Sequence, residues 1–478
     1  MTKKILFIFS SAVLLLLSAC GKEVLPPQAF GPAPDENQMA WHEREQFAFI
    51  HFTTNTFTDK EWGYGDEDPA IFNPTSFDAE QWAKTIRDAG LTGIVLTCKH
   101  HDGFCLWPSA YTDHSVKNSP FLGGRGDVVK AVSDACRKYG LFFGVYLSPW
   151  DRNYARYAFP EYVTYYRNQL TELLSNYGEV SEVWFDGANG GDGYYGGARE
   201  KRKIDGNYYD WPNTYALVRR LAPRAVMFGG PTIRWCGNES GYAGETNWNT
   251  YSEDAPFEGD ILKRLNTGDE DGRAWLPAEV DVSIRPGWFY HASEDDRVKT
   301  PETLFKIYLE SVGRGSSLIL NLPPDRRGLL HENDVNALLG WKKLLDATFA
   351  VNLAANAKAK ADTWRGKSRQ YAAANVTDGD GETYWATDDG VTIGSIEINL
   401  DVPKKVNYIL LQEYIRLGQR VKAFEVEAKI GDRWEKVAEG TTVGYKRILP
   451  LGGVEASAVR VHVRESKACP LISSIEVY

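Results

Sequence analysis

The sequence predicts an α/β protein: a (β/α)8-like barrel of the TIM type followed by an all-β sandwich of jelly-roll form. Three observations predict it. From about residue 45 to 330, short β-rich runs alternate with amphipathic helices. Those runs are continuously apolar, as parallel strands covered on both faces must be. Near residue 355 the texture changes to short alternating segments separated by turn residues. A chain of 478 residues allows about two to four domains, and one barrel can take up more than about 250 of them.

Taken in order, residues 1–20 read as an export signal: Lys3 and Lys4 are the charged part, Ile5 to Leu17 the apolar part, and L-S-A-C resembles a bacterial lipobox that acylates Cys20. Its apolar stretch is too short to span a bilayer comfortably. Residues 21–39 form a linker, with Pro26 to Asn37 as a tether, and residues 40–350 are the barrel. The expected strands are Gln46 to Asn55, Leu91 to Thr97, Leu141 to Leu147, Val180 to Phe185, Ala225 to Gly229, Trp275 to Ile284 and Ser317 to Leu322. Between them lie the helices Asp78 to Ala89, Asp127 to Tyr139, Tyr162 to Tyr177, Trp211 to Leu221 and Glu302 to Gly313. Asp78 with Gln81 has capping-box spacing, Gly90 and Gly140 sit at C-terminal stops, and Thr300-Pro301 opens the last of these helices. Glu332 to Phe349 closes the barrel. Residues 351–478 form the sandwich, with strands at Ser395 to Leu400, Asn407 to Gln412, Ala423 to Ala428 and Val459 to Val463.

Charge and composition exclude some functions. A net charge of -10 and no Lys/Arg stripe argue against nucleic acid, the run Arg199 to Lys203 being a solvated loop. An aromatic content of 13%, with 15 Trp and 25 Tyr, suits a pocket that stacks on sugar rings. Beyond Cys20, the cysteines Cys98, Cys105, Cys136, Cys236 and Cys469 have no C-x-x-C spacing and read as core residues rather than as a disulfide or zinc framework.

In such a barrel the C-terminal strand ends share a mouth. His51 follows the first strand, with Glu61 and Trp62 in the loop beyond; His100 and His101 follow the second; Tyr146 and Trp150 end the third. Asp186 in V-W-F-D-G ends the fourth, Glu239 in R-W-C-G-N-E follows the fifth, and P-G-W-F-Y-H supplies Trp288. Asp186, with Gly187 opening the backbone beside it, fits a nucleophile, a metal ligand or a helix cap. Three histidines with Asp102 and Asp186 are a candidate metal set, but adjacent strand residues point to opposite faces and no H-x-H or H-E-x-x-H spacing occurs. The other reading has one of the paired histidines facing a ligand and the other satisfied within the structure.

The set H-F, E-W, K-H-H-D-G-F, W-F-D-G and P-G-W-F-Y-H resembles glycoside hydrolase family 29, the α-L-fucosidases, over about residues 40 to 350. The resemblance implies a retaining exo-hydrolase that needs no metal in its active site, with Asp186 as nucleophile. It implies that His51, His100 and His101 bind fucose hydroxyls and that Glu61, Trp62, Tyr146 and Trp288 line the pocket. R-W-C-G-N-E is similar to the acid/base motif of the subgroup specific for α-1,3/1,4-linked fucose on Lewis-type branches, which makes Glu239 the acid/base, with Glu245 its main rival and Glu67 and Glu279 weaker ones. The loop Asn189 to Asn213, with Tyr194, Tyr195, Tyr208, Tyr209 and Trp211, is either an outer sugar site or a surface excursion held by its own aromatics.

In the tail, N-V-T-D-G-D-G-E-T-Y-W resembles discoidin-like modules related to family 32 carbohydrate-binding modules. Asp378 and Asp380 are candidates for a structural Ca²⁺, although D-G-D-G is also a good turn. The expected partners are fucosylated oligosaccharides or glycoconjugates, with the membrane reached only through the lipid of an exported, periplasmic or cell-surface lipoprotein. Standing against this reading are an α-L-fucosidase of broader linkage specificity, a metal-dependent barrel hydrolase and a non-catalytic glycan-binding lipoprotein.

Overall fold

The computed structural model describes residues 24–254 and 258–478; the export signal and Cys20 lie outside the described residues. Eight parallel strands form the barrel: β1 Gln46–Ile50, β2 Gly93–Lys99, β3 Phe142–Leu147, β4 Glu182–Trp184, β5 Val226–Phe228, β6 Arg234–Trp235, β7 Ala278–Ser283 and β8 Ser317–Asn321. They hydrogen-bond in the order β5-β4-β3-β2-β1-β8-β7-β6, and a single parallel bridge from Phe228 to Ile233 nearly closes the ring. β1, β2, β7 and β8 are buried at every position, as the continuous apolar runs predict.

Local signals set the helix ends. Asp78 accepts from the N–H groups of Glu80 and Gln81, and Asp127 accepts from that of Lys130, so each caps the helix after it. Gly140 ends the helix Val128–Tyr139 at φ 70°, a left-handed conformation that costs glycine little. The capping box at Asp78 is not completed. Gln81 instead spends its amide on Leu330, donating to the carbonyl and accepting from the N–H, which ties this helix to the loop after β8.

Two expected strands divide differently. Trp275 pairs with Thr250 in a small antiparallel two-stranded sheet, Leu276 and Pro277 interrupt, and only then does β7 begin. Gln46 to Asn55 stops at Ile50, and Thr54–Thr58 coils into a short helix capped by Thr53.

The barrel interior is aromatic: Phe47, Phe49, Tyr146, Trp184 and Phe228 pack with Val95, Val226 and Ile319. The helix Glu36–Arg44 closes the bottom, where Trp41 Nε1 donates to Glu279 Oε2 at 3.2 Å. The tail is an antiparallel all-β domain with its own core. Its principal strands are long and bulged: Ser395 to Gln412 belongs to one strand, Gly394–Glu413, that pairs with Arg447–Ser466. In the stretch read as a linker, residues 21–39, Leu25 and Gln28 accept through their carbonyls from Arg365 and Arg420 of this domain. The described cysteines are all free and buried. At the D-G-D-G turn, Asp378 accepts from Asp380 N and Thr383 Oγ1, and Asp380 accepts from Glu382 N.

Candidate active site

The C-terminal ends of the barrel strands open into a cavity of about 730 Å³. Asp186, Glu239, His51, Glu61, Trp62, His100, His101, Tyr146 and Trp288 all line it. Asp186 leaves β4 beyond Phe185. Its Oδ1 accepts from Ala188 N at 2.7 Å and its Oδ2 from the Tyr146 hydroxyl at 2.9 Å, so both oxygens are fixed while the carboxylate stays partly exposed to the cavity.

K-H-H-D-G works as a clasp. Lys99, the last residue of β2, turns away from the mouth into a buried site where Nζ donates to Asp151 Oδ2 and Gln169 Oε1, each at 3.0 Å. Asp102 accepts from Thr53 Oγ1 and Phe104 N, both at 2.7 Å. At Gly103 φ is 79°, and a Cβ there would meet Asp151 Oδ1 at 2.5 Å. Because the strand ends at Lys99, the alternation rule no longer governs the next two residues. The His100 and His101 rings lie 4.1 Å apart and share the cavity.

The histidines are uncharged near neutral pH. Burial pushes His51 down to about 3 and His100 well below the ordinary range; it lowers His101 as well, against the pull of the Asp186 carboxylate. Hydrogen bonds fix two tautomers. Asn321 donates its amide to Trp288 O and Ser283 Oγ, so its Oδ1 accepts from His51 Nδ1 at 2.8 Å. Ser148 donates to Trp150 O and therefore accepts from His101 Nδ1 at 2.7 Å. In both rings Nε2 remains an acceptor for a ligand hydroxyl.

Glu61 holds the loop after β7. Its carboxylate accepts from Trp288 N at 2.8 Å, Phe289 N at 3.1 Å and His291 Nε2 at 2.7 Å. Gly287 makes room, since a Cβ there would stand 2.6 Å from Glu61 Oε1. Trp288 so placed donates Nε1 to Glu239 Oε2 at 3.2 Å. Trp62 is an exposed rim residue packed edge-on against His101 and Trp150.

The other carboxylates are placed elsewhere. Glu245 is exposed and faces Arg314 at 3.7 Å; Glu67 is buried on the N–H groups of Tyr64 and Gly65; Glu279 is inside the barrel on Trp41 and Trp184. None of the three lines the cavity. Asp281 does, and sequence reasoning missed it. It projects inward from β7, accepts from Trp235 Nε1 at 2.8 Å, and is driven well above the usual carboxylate range by burial and then by Glu239. Of the aromatic loop, Tyr209 and Trp211 with Ile204, Asp205 and Gly206 form cavity wall, whereas Tyr195 is buried against Tyr157 and braces the loop. Among the described residues no group of three or more His, Cys, Asp or Glu side chains is arranged to hold a metal ion.

Two carboxylates sharing an aromatic hollow with neutral hydrogen-bonding rings are what a sugar-cleaving barrel hydrolase requires. Known proteins narrow that class. Residues 27–347 match the α-L-fucosidase family and residues 356–476 the F5/8 type C domain. α-L-Fucosidase 1 of Arabidopsis thaliana is 40% identical over 481 residues, covering 99% of this chain and 92% of its own. A glycoside hydrolase 29 family member from an unknown rumen bacterium superposes with a TM-score of 0.85 at 44% identity, over 95% of this chain and 78% of its own. A Ruminococcus gnavus GH29 fucosidase in complex with fucose gives 0.86 at 34% identity, over 95% and 96%. The chain belongs to the α-L-fucosidases of glycoside hydrolase family 29 and carries a C-terminal discoidin-like domain.

Proposed function

We propose that the protein is a retaining exo-α-L-fucosidase that removes terminal α-1,3/1,4-linked L-fucose from branched, Lewis-type glycans by double displacement. The observation that carries this reading is that Asp186 and Glu239 line one cavity, each held there by a cavity-lining aromatic, Tyr146 and Trp288 respectively. In the first step an Asp186 oxygen bonds to the anomeric carbon while the bond to the leaving oxygen breaks and Glu239 gives that oxygen its proton. In the second, Glu239 takes a proton from water, the water oxygen attacks the same carbon as its bond to Asp186 breaks, and fucose departs with retained configuration, leaving the carboxylate free. His51, His100 and His101 bind sugar hydroxyls as neutral rings, and a metal is not part of the chemistry. The wall from Ile204 to Trp211 suits a second sugar on the aglycone side.

The test is Asp186→Gly with azide and a reactive aryl fucoside. Restored turnover to a fucosyl azide of inverted configuration is expected; azide without effect would remove Asp186 from this role. Faster hydrolysis of Lewis trisaccharides than of a simple aryl fucoside is expected, and the reverse order would indicate broader linkage specificity. We further propose that Cys20 anchors the exported enzyme to a membrane, so Cys20→Ser should release it into the soluble fraction.

A further inference from the structure

The loop that carries Glu239 does not return directly to the barrel. From Glu245 to Asn249 it runs against the sandwich, which engages its backbone group by group. Asn247 N donates to Thr442 Oγ1 at 2.9 Å, and Asn249 N to Gln419 Oε1 at 2.8 Å. Gln419 Nε2 donates back to Asn247 O at 3.0 Å, and Arg447 Nη1 donates to Glu245 O at 2.8 Å. Gln419, Thr442 and Arg447 are all buried.

The two sandwich loops that present Gln419 and Thr442 are themselves joined. Glu413 Oε1 accepts from Arg420 N and Val421 N, and its Oε2 from Gly444 N, each at 2.8 Å. On the barrel side, Arg234 of β6 donates to Asn247 Oδ1 at 3.0 Å, and Asn266 donates to Cys236 O and Tyr242 O. The turn bearing Glu239 is therefore strung between β6 at one end and the sandwich at the other. Besides packing on the barrel helix Pro301–Glu310 through Tyr408, the sandwich thus bonds the main chain of the acid/base loop.

We propose that the sandwich is a positioning part of the catalytic apparatus: Gln419, Thr442 and Arg447 fix the backbone of residues 245–249 and so set where Glu239 stands beside the leaving oxygen. The proposal deepens the functional reading and rests on Glu239 as proton donor. Displacing a general acid is felt most where the leaving group needs a proton. The test uses the full chain as wild type, Gln419→Ala, Thr442→Val and Glu239→Ala. Each is assayed on a fucosyl disaccharide and on fucosyl fluoride, whose leaving group departs unprotonated.

For Gln419→Ala and Thr442→Val, kcat on the disaccharide should fall roughly 10- to 100-fold with KM nearly constant, while the fluoride changes by less than about 3-fold. Glu239→Ala should show the same pattern more strongly. Equal losses on both substrates, or none on either, with Glu239→Ala still selective, would overturn the positioning role. Glu239→Ala without selectivity would overturn the underlying assignment, and the proposal with it. Thr442→Val is close to isosteric and decides the matter if Gln419→Ala does not fold.

Discussion

The Tyr146 hydroxyl is committed to one oxygen of Asp186, and burial raises its own pKa well above the ordinary phenol range, so it remains a donor throughout the working pH range. A donor fixed on this carboxylate holds its orientation. Tyr146→Phe removes that bond and keeps the ring that packs on Trp184 and Phe49. The expected outcome is a fall in kcat/KM of roughly 10- to 100-fold with thermal stability nearly unchanged, read from steady-state kinetics beside a melting curve. Lys99 has the opposite profile. It does not line the cavity, yet its removal takes the ammonium partner from Asp151, which is fully buried. Lys99→Ala should therefore destabilise the fold by about 3–5 kcal/mol in denaturant unfolding, whatever its effect on turnover.

At the scale of elements, Glu61 connects the loop after β1 to the loop after β7 through two backbone N–H groups and an imidazole. Glu61→Ala should release Trp288 from the cavity wall and lower kcat/KM about 10- to 100-fold; a variant with wild-type kinetics would show that Trp288 is placed without it. Such latches are hard to read in a sequence, because E-W and P-G-W-F are separated by more than two hundred residues and only the barrel brings their loops together. What was legible followed repeated local rules. The apolar runs located seven of the strands, and Asp78, Asp127, Gly140 and Pro301 marked helix ends that the structure keeps. β6 was not legible, since Arg234–Trp235 is two residues long and carries no periodicity. Glu182 and Asp281 were hidden differently: polarity inside a parallel strand contradicts the binary pattern that identifies the strand. The paired histidines were legible as a motif. Their shared direction was not, because it depends on β2 ending at Lys99.

At the scale of the whole molecule, barrel and sandwich meet over a seam that is both polar and aromatic, where Phe305 and Phe349 pack on Tyr408, and Phe349 on Tyr478. Leu410 and Ile448 of the sandwich belong to the barrel's core cluster. Shared core of this kind couples the two parts, so heating should give one cooperative transition rather than two. His42 sits in the same seam, stacked on Tyr445 with ring centroids 5.2 Å apart and accepting from Trp275 Nε1 at 3.3 Å. Burial depresses its pKa from 6.5 to about 3. Below pH 6.5 the unfolded chain binds a proton at this residue that the folded protein refuses, so the unfolded state holds more protons and stability falls as pH falls. The contribution is complete above 6.5 and is lost progressively toward pH 3, at up to about 1.4 kcal/mol per pH unit. A glutamine in its place would still offer Trp275 an acceptor but would not titrate. His42→Gln should therefore lose stability less steeply than wild type between pH 6.5 and 3, with unfolding near pH 4.5 taking up about one proton fewer. Parallel stability curves for the two proteins over that interval would mean that His42 is already protonated in the folded seam, and that another group governs its response to acid.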